Sequence, residues 1–168
     1  WVWAGADVIE PDLTLALISL SGGGADATEV REFDLRTRRF VEDGFNLPEA
    51  KTSITWEGAD SVLVGTDFGP GSLTDSGYPR IVKRWRRGQA LAEATTLFEG
   101  SASDVSVGAS YDPTPGHERL FISRSTDFFN REYYELRGDQ PVRTRGLLIG
   151  IGDAQGGVVL LSPFAARW

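Results

Sequence analysis

The stretch TSITWEGADSVLVGTDFGPGSLTDSGYPRIVKRWRRGQALAEATTLFEG, Thr52 to Gly100, decides the fold. Four short apolar runs are separated by turn-type residues. Each is about strand length, and none is long enough for a helix. Thr, Ile, Val, Trp and Phe dominate the runs, and these fit a pleated, half-buried surface. The stretch reads as one four-stranded antiparallel unit, with strands near 52–57, 61–68, 78–87 and 93–99. Such a unit cannot bury both faces alone and needs neighbours of its own kind.

The neighbours lie on either side. Trp3, Ile54 and Val105 anchor successive first strands at a spacing of 51 residues. Phe33, Trp85 and Tyr134 anchor the third strands, spaced 52 and then 49 residues apart. The third strands also end alike, at Asp34-Leu35-Arg36, Arg86-Arg87-Gly88 and Leu136-Arg137-Gly138. Four strands repeated about every 50 residues are the mark of propeller blades. A β-sandwich has no reason to repeat at this period. The expected fold is therefore all-β, a partial β-propeller of about three four-stranded antiparallel blades plus an incomplete fourth. The whole chain is one domain. Its blades run roughly over 2–46, 52–100 and 104–145, with the incomplete one over 147–163. Residues 46–49 are read as the crossing from the first blade to the second. Closed propellers have roughly 4–8 blades, so either the arc is open or a partner covers its ends. The start on Trp1-Val2-Trp3, already inside a strand, points to a piece of a longer protein.

Composition sets the outer limits. The chain has 168 residues, 40% apolar and 24% charged, with 20 Gly and 8 Pro. That suits a globular domain with many tight turns. A net charge of −7, with acid and base mixed along the chain, argues against nucleic acid or an anionic membrane as partner. No stretch approaches the roughly 20 apolar residues of a membrane-spanning helix. With no cysteine there is no disulfide framework and no thiolate site. This fits the cytoplasm, and equally a periplasmic protein that needs no bridges.

Candidate chemistry is sparse. A nucleophile elbow needs G-x-S-x-G on a strand-to-helix turn. Gly108-Ala109-Ser110-Tyr111-Asp112 comes nearest, but lacks the second Gly and sits in a β context. The single histidine, His117, lies in a Pro-Gly turn and reads as solvated. No catalytic residue is expected, no cofactor, and no metal site, since His and Cys ligands are too few. Gly22 to Asp26 resembles one turn of a calcium-binding repeat, but reads better as a hairpin loop. Arg80, Lys83, Arg84, Arg86 and Arg87 form a basic cluster. It is expected near a blade's outer edge, where charge blocks pairing with strangers, with an acidic ligand as the other use. The aromatics Trp1, Trp3, Trp56, Trp85 and Phe121 read as inter-blade core rather than a sugar-binding platform. The long loop Gly69–Gly77 is expected to be functional or mobile.

Some of these segments resemble a known family. Ser19 to Asp26 with Val30 to Leu35 is similar to a propeller blade of the prolyl oligopeptidase family. So are Phe40-Val41, Gly44 to Lys51 and Ser53 to Trp56. Val64 to Arg80 resembles the bacterial members in particular. The likeness covers about residues 1–145. It implies a seven-bladed propeller joined to an α/β-hydrolase domain that carries Ser, Asp and His. That enzyme cuts short peptides after proline, while its propeller covers the active site and keeps folded proteins out. None of the triad motifs lies in this chain, which is therefore expected to be inactive alone. The resemblance places the start of one first strand at the peptide cavity, which here means Lys51 and Thr52. The expected function is gating and positioning of short proline-containing peptides for a hydrolase domain carried elsewhere, with self-association through exposed blade edges. The alternative is a stand-alone β module that binds peptide or glycan.

Overall fold

The computed structural model of the chain describes residues 1–144 and the backbone of 150–152 and 158–160. The first sheet contains β1 (Val2–Val8), β2 (Leu15–Ser21), β3 (Thr28–Asp34), β4 (Arg39–Phe40) and β5 (Asn46–Ala50). The second contains β6 (Ser53–Gly58), β7 (Ser61–Gly65), β8 (Ile81–Arg86) and β9 (Thr95–Glu99). The third contains β10 (Ser106–Asp112), β11 (Arg119–Ser125), β12 (Arg131–Arg137) and β13 (Gln140–Arg143). Neighbouring strands pair antiparallel, in chain order throughout the second and third sheets and from β1 to β4 in the first, where β5 returns to pair with β3. Three successive four-stranded meanders, each packed on the next, are the partial propeller the repeat implied. Among the described residues, one 3-10 turn over Leu91–Glu93 interrupts the β structure. β14 (Gly150–Gly152) and β15 (Val158–Leu160) form a further antiparallel pair. The rest of the expected fourth blade lies outside the described residues.

The core sits between sheets. Alternation along each strand sends every second side chain to one face. Leu17, Val30 and Leu47 of the first sheet meet Trp56, Val62, Val64 and Trp85 of the second. Phe45 stacks edge-on against both tryptophans, at 5.9 Å from Trp56 and 5.0 Å from Trp85. The opposite face of the second sheet sends Leu63, Val82 and Leu97 against Val107, Ile122 and Leu136 of the third. Each of these large side chains contributes roughly 1.5–3 kcal/mol when fully buried. The middle sheet is thus apolar on both faces, which explains the continuous run Val62-Leu63-Val64.

Four expectations need correction. Residues 46–49 are not a bare crossing: they belong to β5, which pairs with β3 through Val30 opposite Leu47. β4 and β5 share the outer side of β3, and residues 41–45 bulge out between them. Trp1 and Trp3 are not core, being 74% and 63% exposed. Trp3 pairs with Leu20, on the side of the first sheet turned away from the second, whereas Trp56, Trp85 and Phe121 are buried. β7 stops at Gly65 and β8 starts at Ile81, because residues 66–80 fold back on themselves. The basic cluster is no outer-edge guard, since β8 is paired on both sides, by β7 and β9.

Candidate functional site

All three sheets point the start of their first strand the same way. The turn between second and third strands returns to that end in each case. The end therefore gathers the Gly22–Ala27 turn, the 66–80 loop and the Thr126–Asn130 turn. Lys51 and Thr52 lie there too, at the entry to β6.

Lys51 is held by neighbours from two sheets. Its Nζ lies 4.0 Å from the centre of the Tyr78 ring, 3.9 Å from Asp26 Oδ2 and 3.4 Å from the Ser76 carbonyl, to which it donates. The Tyr78 hydroxyl donates to the same Asp26 carboxylate at 3.2 Å. Asp26 comes from the glycine turn of the first sheet, where Gly23 and Gly24 take left-handed φ values of 74° and 86°. A side chain at either position would be strained there. Thr52 Oγ1 shares a 2.9 Å hydrogen bond with Thr66 Oγ1, which ties the entry of β6 to the start of the long loop.

That loop is packed. Ser72 and Thr74 are buried. The Ser72 hydroxyl accepts the Phe68 N–H at 2.9 Å and lies 2.6 Å from the Gly69 carbonyl. Thr74 and Ser76 hydroxyls both donate to the Val105 carbonyl, at 3.1 and 2.9 Å. The Asp75 N–H donates to Ala102 at 2.8 Å. The loop thereby staples the second sheet to the entry of the third. Its Ser and Thr density was the available signal, but sequence reasoning could not pair those hydroxyls with Val105.

Two members of the basic cluster, Arg84 and Arg87, join sheets, while Arg80 and Lys83 are paired within the second sheet and Arg86 is exposed. Arg84 is buried and forms a two-pronged pair with Glu57, at 2.5 and 2.7 Å. It also reaches Asp139 of the third sheet. Arg87 makes a two-pronged pair with Glu32 of the first sheet at 2.9 and 3.0 Å. Glu32 is 1% exposed and also accepts the Phe45 N–H at 2.8 Å. Arg80 pairs with Glu99 at 2.6 Å, and Lys83 sits 4.4 Å over the Phe68 ring. An acidic ligand would have to displace these acids and rings from Arg80, Lys83, Arg84 and Arg87. A cavity of about 330 Å³ opens at the far end of β8, beside Phe45, Trp85 and Arg87.

Ser110 lies inside β10 opposite Phe121, with no strand-to-helix turn. His117 sits exposed in the turn after β10, its N–H bonded to Thr114. Neither is arranged as nucleophile or base. What the Lys51 end can do is hold a ligand by charge and hydrogen bonding, through the exposed carboxylate of Asp26 and the backbone around Ser76.

A family model of the prolyl oligopeptidase N-terminal β-propeller domain matches residues 2–158. The chain belongs to the prolyl oligopeptidase family. Among its relatives, an uncharacterized peptidase of Sinorhizobium fredii is 42% identical over 134 residues, covering 79% of this chain and 18% of that protein. An uncharacterized peptidase of Rickettsia prowazekii is 34% identical over 130 residues, 71% of this chain and 18% of that one. A solved post-proline cleaving enzyme from Rickettsia typhi superposes with a TM-score of 0.73 at 31% identity, over 79% of this chain and 21% of that chain. Oligopeptidase B from Leishmania major gives a TM-score of 0.60 at 13% identity, over 86% and 20%, a likeness of fold alone. The chain spans about a fifth of the length of these relatives. The propeller arc of the family is thus what the three meanders represent.

Proposed function

We propose that this propeller arc serves a prolyl oligopeptidase-like serine peptidase by gating and positioning short proline-containing peptides for a hydrolase domain of the same protein. The family match over residues 2–158 carries the reading. Likeness to a post-proline cleaving enzyme supports the substrate class. Lys51 and Thr52 are the substrate-facing residues in this reading. Lys51 stands at the entry of an inner strand, held between turns of two sheets, with Asp26 open to solvent beside it. A peptide arriving there meets a cation and a carboxylate, which can orient it without reacting with it.

The test uses the full-length protein and a proline-containing chromogenic peptide. Turnover of the short peptide, with no cleavage of a folded protein containing the same sequence, is expected. Lys51→Ala is expected to raise KM while leaving kcat nearly unchanged, since the residue contributes binding and not chemistry. A full-length protein with no activity on any proline-containing peptide would refute the reading. Unchanged KM across a peptide series in Lys51→Ala would remove that residue from the site.

A further inference from the structure

Tyr78 touches both charged residues of the Lys51 end, one with its ring and one with its hydroxyl. Its backbone is fixed without help from the side chain. The Thr74 N–H donates to the Tyr78 carbonyl at 2.8 Å, and the Tyr78 N–H donates back to the Thr74 hydroxyl at 3.2 Å. Gly77 closes the turn between them with a left-handed φ of 78°, where a side chain would be strained. Thr74 is buried and bonded to the Val105 carbonyl at the entry of the third sheet. Pro79 is buried too, and its carbonyl accepts the Val107 N–H at 2.8 Å. The ring is thus mounted on a turn anchored to the third sheet. Tyr78 belongs to neither inter-sheet core, so packing between sheets does not call for an aromatic here.

Lys51 supplies the reason. A lysine carries its charge on a flexible four-carbon stem, and fixing that stem costs rotamer freedom. Three groups surround the Lys51 ammonium: the Tyr78 ring, the Ser76 carbonyl and the Asp26 carboxylate. The Asp26 side chain is 70% exposed and lies 3.9 Å away, and an ion pair in water holds a side chain weakly. The ring face is different. It is half-buried, it attracts a cation through its quadrupole, and it covers one side of the ammonium with a surface that cannot swing away.

We infer that Tyr78 is the positioning residue for Lys51: its ring holds the ammonium at the entry of β6, so that an arriving peptide meets a cation already in place. The inference rests on the reading of Lys51 as substrate-facing. A donor ordered beforehand gives up less freedom on binding. The gain therefore falls on KM and not on the chemical step. Tyr78 acts through Lys51 and touches no reacting atom.

The experiment is a double-mutant cycle in the full-length protein, read with a proline-containing chromogenic peptide. Tyr78→Leu is expected to raise KM about 2- to 5-fold, the size of an exposed cation–ring contact, with kcat unchanged. Tyr78→Phe keeps the ring and is expected to keep KM. In a Lys51→Ala background, Tyr78→Leu is expected to add nothing further, because the two act as a unit. Additive effects on KM, or a Tyr78→Phe variant as impaired as Tyr78→Leu, would overturn the positioning role. The second readout is the rate at which acetic anhydride acetylates Lys51, followed by mass spectrometry, with Lys83 as the internal reference. Faster acetylation of Lys51 in Tyr78→Leu than in the unaltered protein and in Tyr78→Phe is expected, with Lys83 unchanged. Equal rates in all three overturn the proposal, and so does a matching rise at Lys83, which marks a general loosening of the fold. A full-length protein inactive on every proline-containing peptide sinks the peptidase reading, while acetylation still decides whether Tyr78 holds Lys51. Normal turnover with equal acetylation rates spares that reading and sinks the role of Tyr78.

Discussion

Two carboxyl groups illustrate how single residues set the response to pH. Burial holds Asp7 above its ordinary value near 3.8, against hydrogen bonds from Thr55 and Trp56 that pull it down, with Glu10 adding to the rise. A raised carboxyl binds its proton more tightly when folded. Its contribution favours folding in acid and weakens as pH climbs past the ordinary value. Asp7→Asn is therefore expected to raise Tm at neutral pH and to change it little below the carboxylate range, as followed by calorimetry. Asp104 behaves in the opposite sense. The hydrogen-bonded Arg124 guanidinium lowers it, burial opposes, and the Ser101 N–H lowers it further. Its stabilisation is fully present above the ordinary value and disappears as pH falls through the depressed one. Asp104→Asn should cost about 1.5–3 kcal/mol at neutral pH, the worth of hydrogen bonds to a charged group. The difference from the unaltered chain should close in acid, read from urea midpoints. None of this was legible from sequence. Both residues look like ordinary turn or strand acids until their neighbours are known.

Elements were more legible than residues, and the reason is local. Strand-length apolar runs and turn residues are short-range signals, so the twelve strands of the three meanders stood out. The exceptions are where an element depends on something distant. Asn46-Leu47-Pro48-Glu49 reads as a crossing between blades, and a proline inside a run does discourage a strand. It forms one because Leu47 fills the first inter-sheet core beside Val30. The bulge ahead of it wraps the Glu32 carboxylate. A Cβ added at Gly44 would lie 2.7 Å from Glu32 Oε2 and 2.9 Å from the Val41 Cβ. Gly44→Ala is therefore expected to destabilise by about 1–3 kcal/mol, the usual range for overpacking. Hydrogen exchange should show the loosening first at Val41 and Phe45, whose N–H groups bond to Glu32. In the 66–80 loop, Ser72→Ala leaves the Phe68 N–H without its acceptor. A loss of about 1–2 kcal/mol is expected, with faster exchange across residues 67–78. An unchanged exchange rate there would show that the hydroxyl does not hold the loop.

At the scale of the whole molecule, the links between sheets recur at roughly the repeat length. Glu32 and Arg87 are 55 residues apart, and so are Arg84 and Asp139. The Ala109 N–H donates to the Ser53 hydroxyl across 56, and Trp56 Nε1 to the Asp7 carbonyl across 49. The repeat was visible in the sequence, and so was the propeller. The pairing of one copy with the next was not, because a charge on a strand does not announce which neighbour it faces. The candidate site was visible only through family likeness, and its partners Asp26, Ser76 and Tyr78 emerged with the coordinates. Trp56→Ala is expected to cost about 3–5 kcal/mol, loosening the first sheet from the second. Because neighbouring repeats stabilise one another mainly through shared interfaces, exchange should rise in β1 to β5 before β10 to β13. Leu63→Ala, on the other face, should reverse that order.

β8 sends Arg84 to the third sheet, and Arg87, the residue just past its end, reaches the first. β8 is in this way clamped from left and right, like a hinge pin with both leaves riveted on. A twist applied to either outer layer is transmitted through it or breaks one of these ion pairs. Two guanidinium groups three residues apart thus tie the middle layer to both of its neighbours, alongside the apolar cores on its two faces.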